Sequence, residues 1–398
     1  MLRYKRPDKP GNFTTAVAPL KTTVAKRVAV MIKKAKEASK KPRKTSRKKA
    51  KQSKIEFKDA WKQYKAVFSY AQFDKCGFCE SSVTKTGYGD VEHYHPKGEV
   101  WKLTETGRRR AKTILSEFGY WWLAYEWENY LFACSKCNQK FKGSYFPVKQ
   151  GTRCLPPRER PTKKFPKETP LLLNPYGRFD PGKHLKFELT GAVINRGNSL
   201  FGYETIRTCG LNRMELLRAR GEKAVRAYDA VQKLARRNNI RDLSVLKDMY
   251  FLGRDSAEHA GMVREIFSES GLSWEALVRR YAEEICRRLK TANAIQVAGL
   301  EVALEEMGRE RYEHWRLVRN FYERSSKSSW NSLISKRAEQ LARDLLDAQK
   351  RLRTVDVDLL ETRIYEMGHE SPSSLRIVAN IFETRTGRTW ANLERTVK

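Results

Sequence analysis

Two Cys-x-x-Cys pairs, Cys76/Cys79 and Cys134/Cys137, constrain this chain more than any other feature. Each pair is a short knuckle that aims two thiolates at one ion, and two knuckles supply the four soft ligands of a closed tetrahedral zinc site. The 54 residues between Cys79 and Cys134 exceed the spacing of a compact finger, so the expectation is a zinc that clips two distant segments together. A disulfide pair or a redox motif is the competing reading. Nothing in the sequence points to secretion, and a reducing cytoplasm keeps thiols available to metal. Cys154, Cys209 and Cys286 stand alone and read as small buried apolar residues.

Between the knuckles lies a polar cluster. The chain runs Val91-Glu92-His93-Tyr94-His95-Pro96-Lys97-Gly98, and later Trp127-Glu128-Asn129-Tyr130-Leu131-Phe132-Ala133-Cys134-Ser135-Lys136-Cys137-Asn138, then Lys142-Gly143. Hydrolysis of a phosphodiester needs a base to deprotonate water and a cation to offset charge on the phosphate and the leaving oxygen. His93 is the candidate base near neutral pH, with His95 its rival. Glu92 and Asn138 offer hard oxygen donors suited to magnesium or manganese. The segment after Leu131 reads as a helix carrying Cys134, Cys137 and Asn138 at i, i+3 and i+4. Lys142, four residues past Asn138, is expected on the same face, its ammonium against a phosphate.

This ordered set resembles the HNH endonuclease family. The resemblance implies an α+β fold, a zinc-stapled ββα-metal core that places an acidic-His pair on a hairpin, a middle Asn in the loop and a Cys-Asn pair on the helix. Carried over by position, it implies His93 as general base, Glu92 and Asn138 as ligands of the catalytic ion, and Asn129 as the residue that orients the base. A regular strand sends Glu92 and His93 to opposite faces, so the reading requires a bulge or a strand end there. Leu171-Leu172-Leu173-Asn174-Pro175-Tyr176, His184-Leu185-Lys186-Phe187, Gly191, Thr205-Ile206 and Gly210-Leu211-Asn212-Arg213 further resemble the HNH subunits of Septu-type and retron-associated anti-phage systems. Those subunits work beside an ATPase. The match covers roughly residues 57 to 235.

Charge points the same way. The 398 residues carry 80 Lys/Arg against 46 Asp/Glu, a formal net charge of +34. Such a field draws in polyanions, nucleic acid first among them, and each neutralised phosphate releases counterions. No run of 18 apolar residues occurs, so no membrane span is expected, and the N-terminus lacks the apolar stretch of a signal peptide. The expected location is cytoplasmic. Residues 1–60 hold 20 Lys/Arg against 4 Asp/Glu. Val24 to Ala38 reads as a basic helix, and Lys40 to Lys54 as a solvated segment until it meets phosphate.

Four regions follow: 1–56, basic and partly disordered; 57–150, the nuclease core; 151–238, a core extension; and 239–398, three helical repeats. Phe57, Trp61, Tyr64 and Phe68 recur at helix spacing and should pack on the zinc core. The insertion from Trp101 to Tyr130 is basic at Arg108, Arg109 and Arg110; its aromatic run at Tyr120 to Tyr125 reads as core in preference to a base-stacking platform. Residues 148–170 read as a surface loop, and Phe187 to Ile194 as a hairpin turned by Gly191. Leu211 to Arg237 reads as a helix with Leu217, Val225, Tyr228, Val231 and Leu234 on its apolar side. In the last third, Gly253, Gly308 and Gly368 align in one column. Val263, Val318 and Val378, then Phe267, Tyr322 and Phe382, then Trp274, Trp330 and Trp390 follow in step. These are packing signatures of a helical scaffold.

The functional expectation is a metal-dependent endonuclease with structural zinc and catalytic Mg2+ or Mn2+. DNA is favoured over RNA, and phosphate contacts are expected from Lys97, Lys142, Arg108, Arg109, Arg110, Lys44, Arg47 and Lys48. The alternatives are an RNA endonuclease, including one acting on transfer RNA, and a non-catalytic zinc-organised binding or scaffold protein. An ATPase subunit or a guide complex is the expected protein partner of the repeats, with no membrane involved.

Overall fold

A two-stranded ribbon joins the two knuckles. Strand β1 (Gly89–His93) pairs antiparallel with β4 (Tyr130–Cys134), Glu92 opposite Leu131 and His93 opposite Tyr130. The computed structural model describes residues 1–40, 55–83, 89–103, 113–116, 118–150, 168–236, 242–290, 294–326, 328–350, 378–381 and 383–384. Among them the fold is mixed α+β and mainly helical, with three two-stranded sheets. The other two pair β2 (Val100–Lys102) with β3 (Thr113–Ser116) and β5 (Leu185–Phe187) with β6 (Val193–Asn195).

The helix expected after Leu131 is instead a strand up to Cys134. All five residues of β4 are buried, and a continuous apolar run carries no period that distinguishes strand from helix. Helical winding begins only at Lys136, as a π-helical turn over Lys136–Lys142. Its wide winding shows in the Gly143 N–H donating to the Asn138 carbonyl at 2.7 Å.

Helix α1 (Phe13–Lys40) begins eleven residues before the expected basic helix and runs through Pro19. Proline removes one ladder bond, yet Phe13, Val17, Val24 and Val28 are all buried along one side. Packing of that face outweighs the break. Phe13 meets Trp127 edge-on at 5.1 Å, and the Phe68 ring lies 4.5 Å from Trp127. The expected helix from Phe57 is shorter than its periodicity suggests: a 3-10 turn at Lys62–Tyr64 leads into α2 (Lys65–Ala71). Trp61, Tyr64 and Phe68 are nonetheless buried, and α2 lies against both ribbon strands. Tyr120, Ala124, Tyr125 and Trp127 are buried as well, and half-buried Trp121 and Trp122 pack against them, so the aromatic run belongs to the core.

The hairpin turned by Gly191 has a steric cause. Gly191 sits at φ +82°, and a Cβ there would lie 2.3 Å from the Leu217 carbonyl oxygen. Helix α3 (Leu200–Cys209) follows, capped by the Ser199 hydroxyl and ended by Gly210 at φ +57°. Helix α4 (Met214–Arg236) buries a different stripe from the one its large apolar residues suggest. Val225 is 67% exposed and Tyr228 44%, whereas Leu216, Arg220, Ala224, Ala227 and Ala230 face inward. Small alanines allow the close approach to α5 (Leu243–Gly253) and α6 (Ala260–Glu269).

The chain divides into two compact units, Met1–Trp274 and Glu275–Lys398. Val263 and Phe267 are fully buried in α6, and Trp274 opens α7 (Trp274–Leu289). In the second unit, α8 (Ala294–Glu310), α9 (Tyr312–Ser326) and α10 (Trp330–Lys350) follow. Val318 and Tyr322 are buried in α9, and Trp330 opens α10. Of the third column only Val378, buried, falls among the described residues; Gly368, Phe382 and Trp390 lie outside them.

Candidate metal centre and active site

The four knuckle cysteines are buried, and their sulphur atoms all lie within 4.8 Å of one another. Cys79 and Cys134 Sγ stand 3.9 Å apart. A tetrahedral zinc with bonds of ~2.3 Å separates its sulphurs by about 3.8 Å, whereas a disulfide requires about 2.05 Å. The thiols are arranged to hold a zinc ion. Gln72 locks the geometry: its amide donates to the carbonyls of Lys75 and Phe132 at 3.0 and 2.8 Å and accepts the Phe132 N–H at 2.9 Å. The first knuckle is thereby fastened to β4.

One guanidinium and one backbone amide donate to the sulphurs. Arg213 Nη1 reaches Cys137 Sγ at 3.5 Å, and the Cys137 N–H donates to Cys134 Sγ at 3.4 Å. Burial opposes the charge on Arg213, but the Cys137 and Cys79 sulphurs outweigh it and raise its pKa. Such donors orient thiolates and offset their charge. Lone Cys209 is buried beside them, its carbonyl accepting from Arg213 at 3.4 Å, and Cys286 is buried too; Cys154 lies outside the described residues.

The turn before α6 is bolted to the first knuckle. His259 Nδ1 donates to the Cys79 carbonyl at 3.1 Å, Gly261 N–H to Glu80 at 3.1 Å, and Lys75 Nζ to the Ala257 carbonyl at 2.8 Å. Burial holds the His259 imidazole down to about 4. Burial also pushes against the Glu80 carboxylate, but the Met1 ammonium at 2.6 Å and Lys75 hold its pKa down to about 2. Residues 1–7 form a strap that the sequence did not announce: Arg6 Nη1 donates to the Trp127 and Tyr130 carbonyls at 2.9 Å each, and Trp127 Nε1 donates to the Pro7 carbonyl at 2.9 Å.

The acidic-His pair sits where β1 ends. No register shift interrupts β1, so Glu92 and His93 leave it on opposite faces. The Glu92 carboxylate accepts from Lys142, whose ammonium also donates to the His93 carbonyl at 2.8 Å. Lys142 is completely buried, so the ammonium expected on a phosphate is an internal ion-pair partner instead. Burial pushes the Glu92 carboxyl up against the pull of Lys142.

The His93 ring is 5% exposed and wedged edge-on between Trp61, at 4.6 Å, and Tyr130, at 5.2 Å. Its Nε2 lies 2.9 Å from the Ala124 carbonyl oxygen, which also accepts from the Tyr130 hydroxyl at 2.8 Å. Burial and then Lys97 lower the His93 pKa well below its ordinary value, so the imidazole is neutral. A carbonyl only accepts, which assigns the proton to Nε2 and leaves Nδ1 as the basic atom.

Asn129 does not touch the His93 ring. Its amide oxygen accepts from His95 N at 2.7 Å and faces His95 Nδ1 at 3.1 Å; its amide nitrogen donates to the carbonyls of His95 and Leu123 at 3.0 Å each. Asn129 is thus tied to the backbone at His95, two residues past His93, and at Leu123, which precedes the Ala124 carbonyl that holds the His93 ring. His95, the rival base, faces the Glu168 carboxylate at 3.2 Å through Nε2 and packs on Tyr94, Tyr120 and Phe146. Both its ring nitrogens thus meet oxygen acceptors.

Asn138 follows Cys137 in the π-helical turn and is half-buried. Cys134 is on β4, not on one helix with Cys137 and Asn138 as the spacing suggested. The hard oxygens of Glu92 and Asn138 are the donor type that magnesium and manganese take. Lys97 Nζ lies 4.2 Å from the Trp61 ring centroid, and its pKa is lowered by burial against the pull of Glu92. Arg108, Arg109, Arg110, Lys44, Arg47 and Lys48 lie outside the described residues. Sequence reasoning missed Gln72, Arg6, Arg213 and the Ala124 carbonyl. Two of these act through backbone atoms of distant segments, and none leaves a spacing signal.

No helix among the described residues is long and apolar enough to cross a membrane. No protein-family model matches the chain, and no solved structure matches it. The chain is similar to Septu protein PtuB of Bacillus mycoides (strain KBAB4), 35% identical over 151 residues. That alignment covers 38% of this chain and 47% of the relative, so the chain spans about half the length of the curated protein it matches.

Proposed function

We propose that the chain is a metal-dependent HNH-type endonuclease that hydrolyses phosphodiester bonds, with a role in anti-phage defence. One observation carries this reading: the turn that follows the second cysteine pair delivers Lys142 to the strand end that bears Glu92 and His93, its ammonium on the Glu92 carboxylate and on the His93 main-chain carbonyl. The similarity to a Septu protein supports the defence role, and an ATPase partner is what the sequence resemblance to Septu-type HNH subunits implies. Cys76, Cys79, Cys134 and Cys137 would hold a zinc ion that joins the two knuckles in a structural role.

His93 is the base. Its Nε2–H is fixed on the Ala124 carbonyl, which leaves Nδ1 to take a proton from the attacking water. Burial keeps the ring unprotonated at neutral pH. Asn129 is a positioning residue: it pins the main chain at His95 and Leu123 and so fixes the ring's anchor. Glu92 and Asn138 would hold Mg2+ or Mn2+, which supplies charge stabilisation at the phosphate and the leaving 3′ oxygen. The products carry 5′-phosphate and 3′-hydroxyl ends. DNA is favoured over RNA, and the net charge of +34 serves either polymer.

The test is incubation of zinc-loaded protein with plasmid DNA and, separately, with total RNA, each with Mg2+, Mn2+ or chelator. Metal-dependent cutting of one polymer supports the reading and names the substrate. Tight, salt-sensitive binding without cutting, in the presence of the ATPase partner as well, replaces it with a zinc-organised binding protein.

A further inference from the structure

Lys142 is a fully buried lysine in a chain with ample surface for its 80 basic residues. Burying an ammonium is costly unless it is paired and hydrogen-bonded. Its two partners are the Glu92 carboxylate and the His93 carbonyl oxygen. The Glu92 side chain is itself 9% exposed, so the pair is screened little by water. Its backbone position is set by the turn: it is the last residue of the π-helical turn that begins two residues after Cys134, and Gly143 at φ +45° ends that turn. Zinc at the knuckles therefore fixes where the Lys142 backbone sits.

We propose that Lys142 is a built-in counter-ion for the catalytic metal site: its ammonium occupies Glu92 when no divalent cation is there, and a cation arriving at Glu92 must displace it. This rests on the reading of Glu92 as a ligand of that cation. The geometry gives the ammonium and the cation the same carboxylate, and like charges at one buried carboxylate exclude each other. Two consequences follow. Lys142 keeps the Glu92 carboxylate compensated, so the core folds before metal arrives. It also weakens metal binding, so that the site fills more readily when substrate phosphate adds negative charge beside it.

The experiment titrates Mn2+ into zinc-loaded full-length protein without nucleic acid. Free hexaaqua Mn2+ is read by electron paramagnetic resonance, and thermal midpoints are followed in parallel. Wild type, Lys142→Met, Lys142→Gln and Glu92→Gln are compared, the glutamine variant covering failure of the methionine variant to fold. The proposal expects both Lys142 variants to bind Mn2+ about tenfold more tightly than wild type, a factor that ~1.4 kcal/mol of relieved repulsion supplies. It also expects their thermal midpoints, lowered without metal, to rise more steeply with added Mn2+. Unchanged or weaker Mn2+ binding in both variants overturns it. Binding that Glu92→Gln abolishes, with Lys142 variants no tighter than wild type, sinks the counter-ion while leaving Glu92 as a ligand. Binding that survives Glu92→Gln, or no binding in any protein, sinks both.

Discussion

Replacing Asn129 tests how the base is held. The side chain is 3% exposed and makes four hydrogen bonds, two accepted from His95 and two donated to the carbonyls of His95 and Leu123. A typical bond contributes about 0.5–1.5 kcal/mol net, and each buried group left unpaired costs about 1–3 kcal/mol. Asn129→Ala strands the Leu123 and His95 carbonyls together, so the expected loss of stability is about 3 kcal/mol. Asn129→Asp separates the two halves of the network: it keeps the acceptor for the His95 N–H but sets a carboxylate against two carbonyl oxygens. Both variants should retain zinc, because the Cys79–Cys134 side of the ribbon is fastened independently by Gln72. Urea unfolding of zinc-loaded protein gives the stability change. Cleavage is then measured at a temperature where each variant is folded, and should fall by at least about tenfold, since a small misplacement of a catalytic group costs up to about a hundredfold. A stability loss under about 1 kcal/mol in Asn129→Ala, with cleavage unchanged, would refute the claim that this amide sets the His93 anchor.

Cys137→Ser should lower zinc content below one ion per chain and destabilise the whole first unit, because the ribbon, α2 and the π-helical turn all rest on the knuckles; inductively coupled plasma analysis and thermal melts check it. The His259 imidazole is held down to about 4, below its ordinary value of about 6.5. The unfolded chain therefore takes up the proton first, and stability present above pH 6.5 is lost as pH falls towards 4, by about 3 kcal/mol if the whole shift is expressed. Comparing the pH dependence of unfolding in wild type and His259→Gln isolates this effect from zinc release, which both share. An equal slope in the two proteins would count against it.

Much of the site is local in sequence, and that part was legible. Cys76, Cys79, Cys134 and Cys137 announce themselves by spacing, and the structure brings them within 4.8 Å. Gly191 marks its hairpin because only glycine tolerates φ +82° against the Leu217 carbonyl. What escaped depends on distant backbone. Lys142 looked like a phosphate contact because it follows Asn138 by four residues, the spacing of one helical face; only the strand end placed against it shows that it is buried on Glu92. Leu131 to Cys134 read as helix because an all-apolar stretch has no period. The long helix α4 misled differently: Val225 and Tyr228 looked like its core face, yet alanines at 224, 227 and 230 make the close packing.

His93 as the base of a phosphodiester-cleaving centre is open to a direct test. Single-turnover cleavage by His93→Ala, matched to wild type in zinc content and thermal midpoint and assayed with the same nucleic acid and Mg2+, tests it most directly. Wild type should cut only with metal, and the variant should lose about 10²–10⁴ in rate while binding nucleic acid as before. A variant that cuts at the wild-type rate would contradict it.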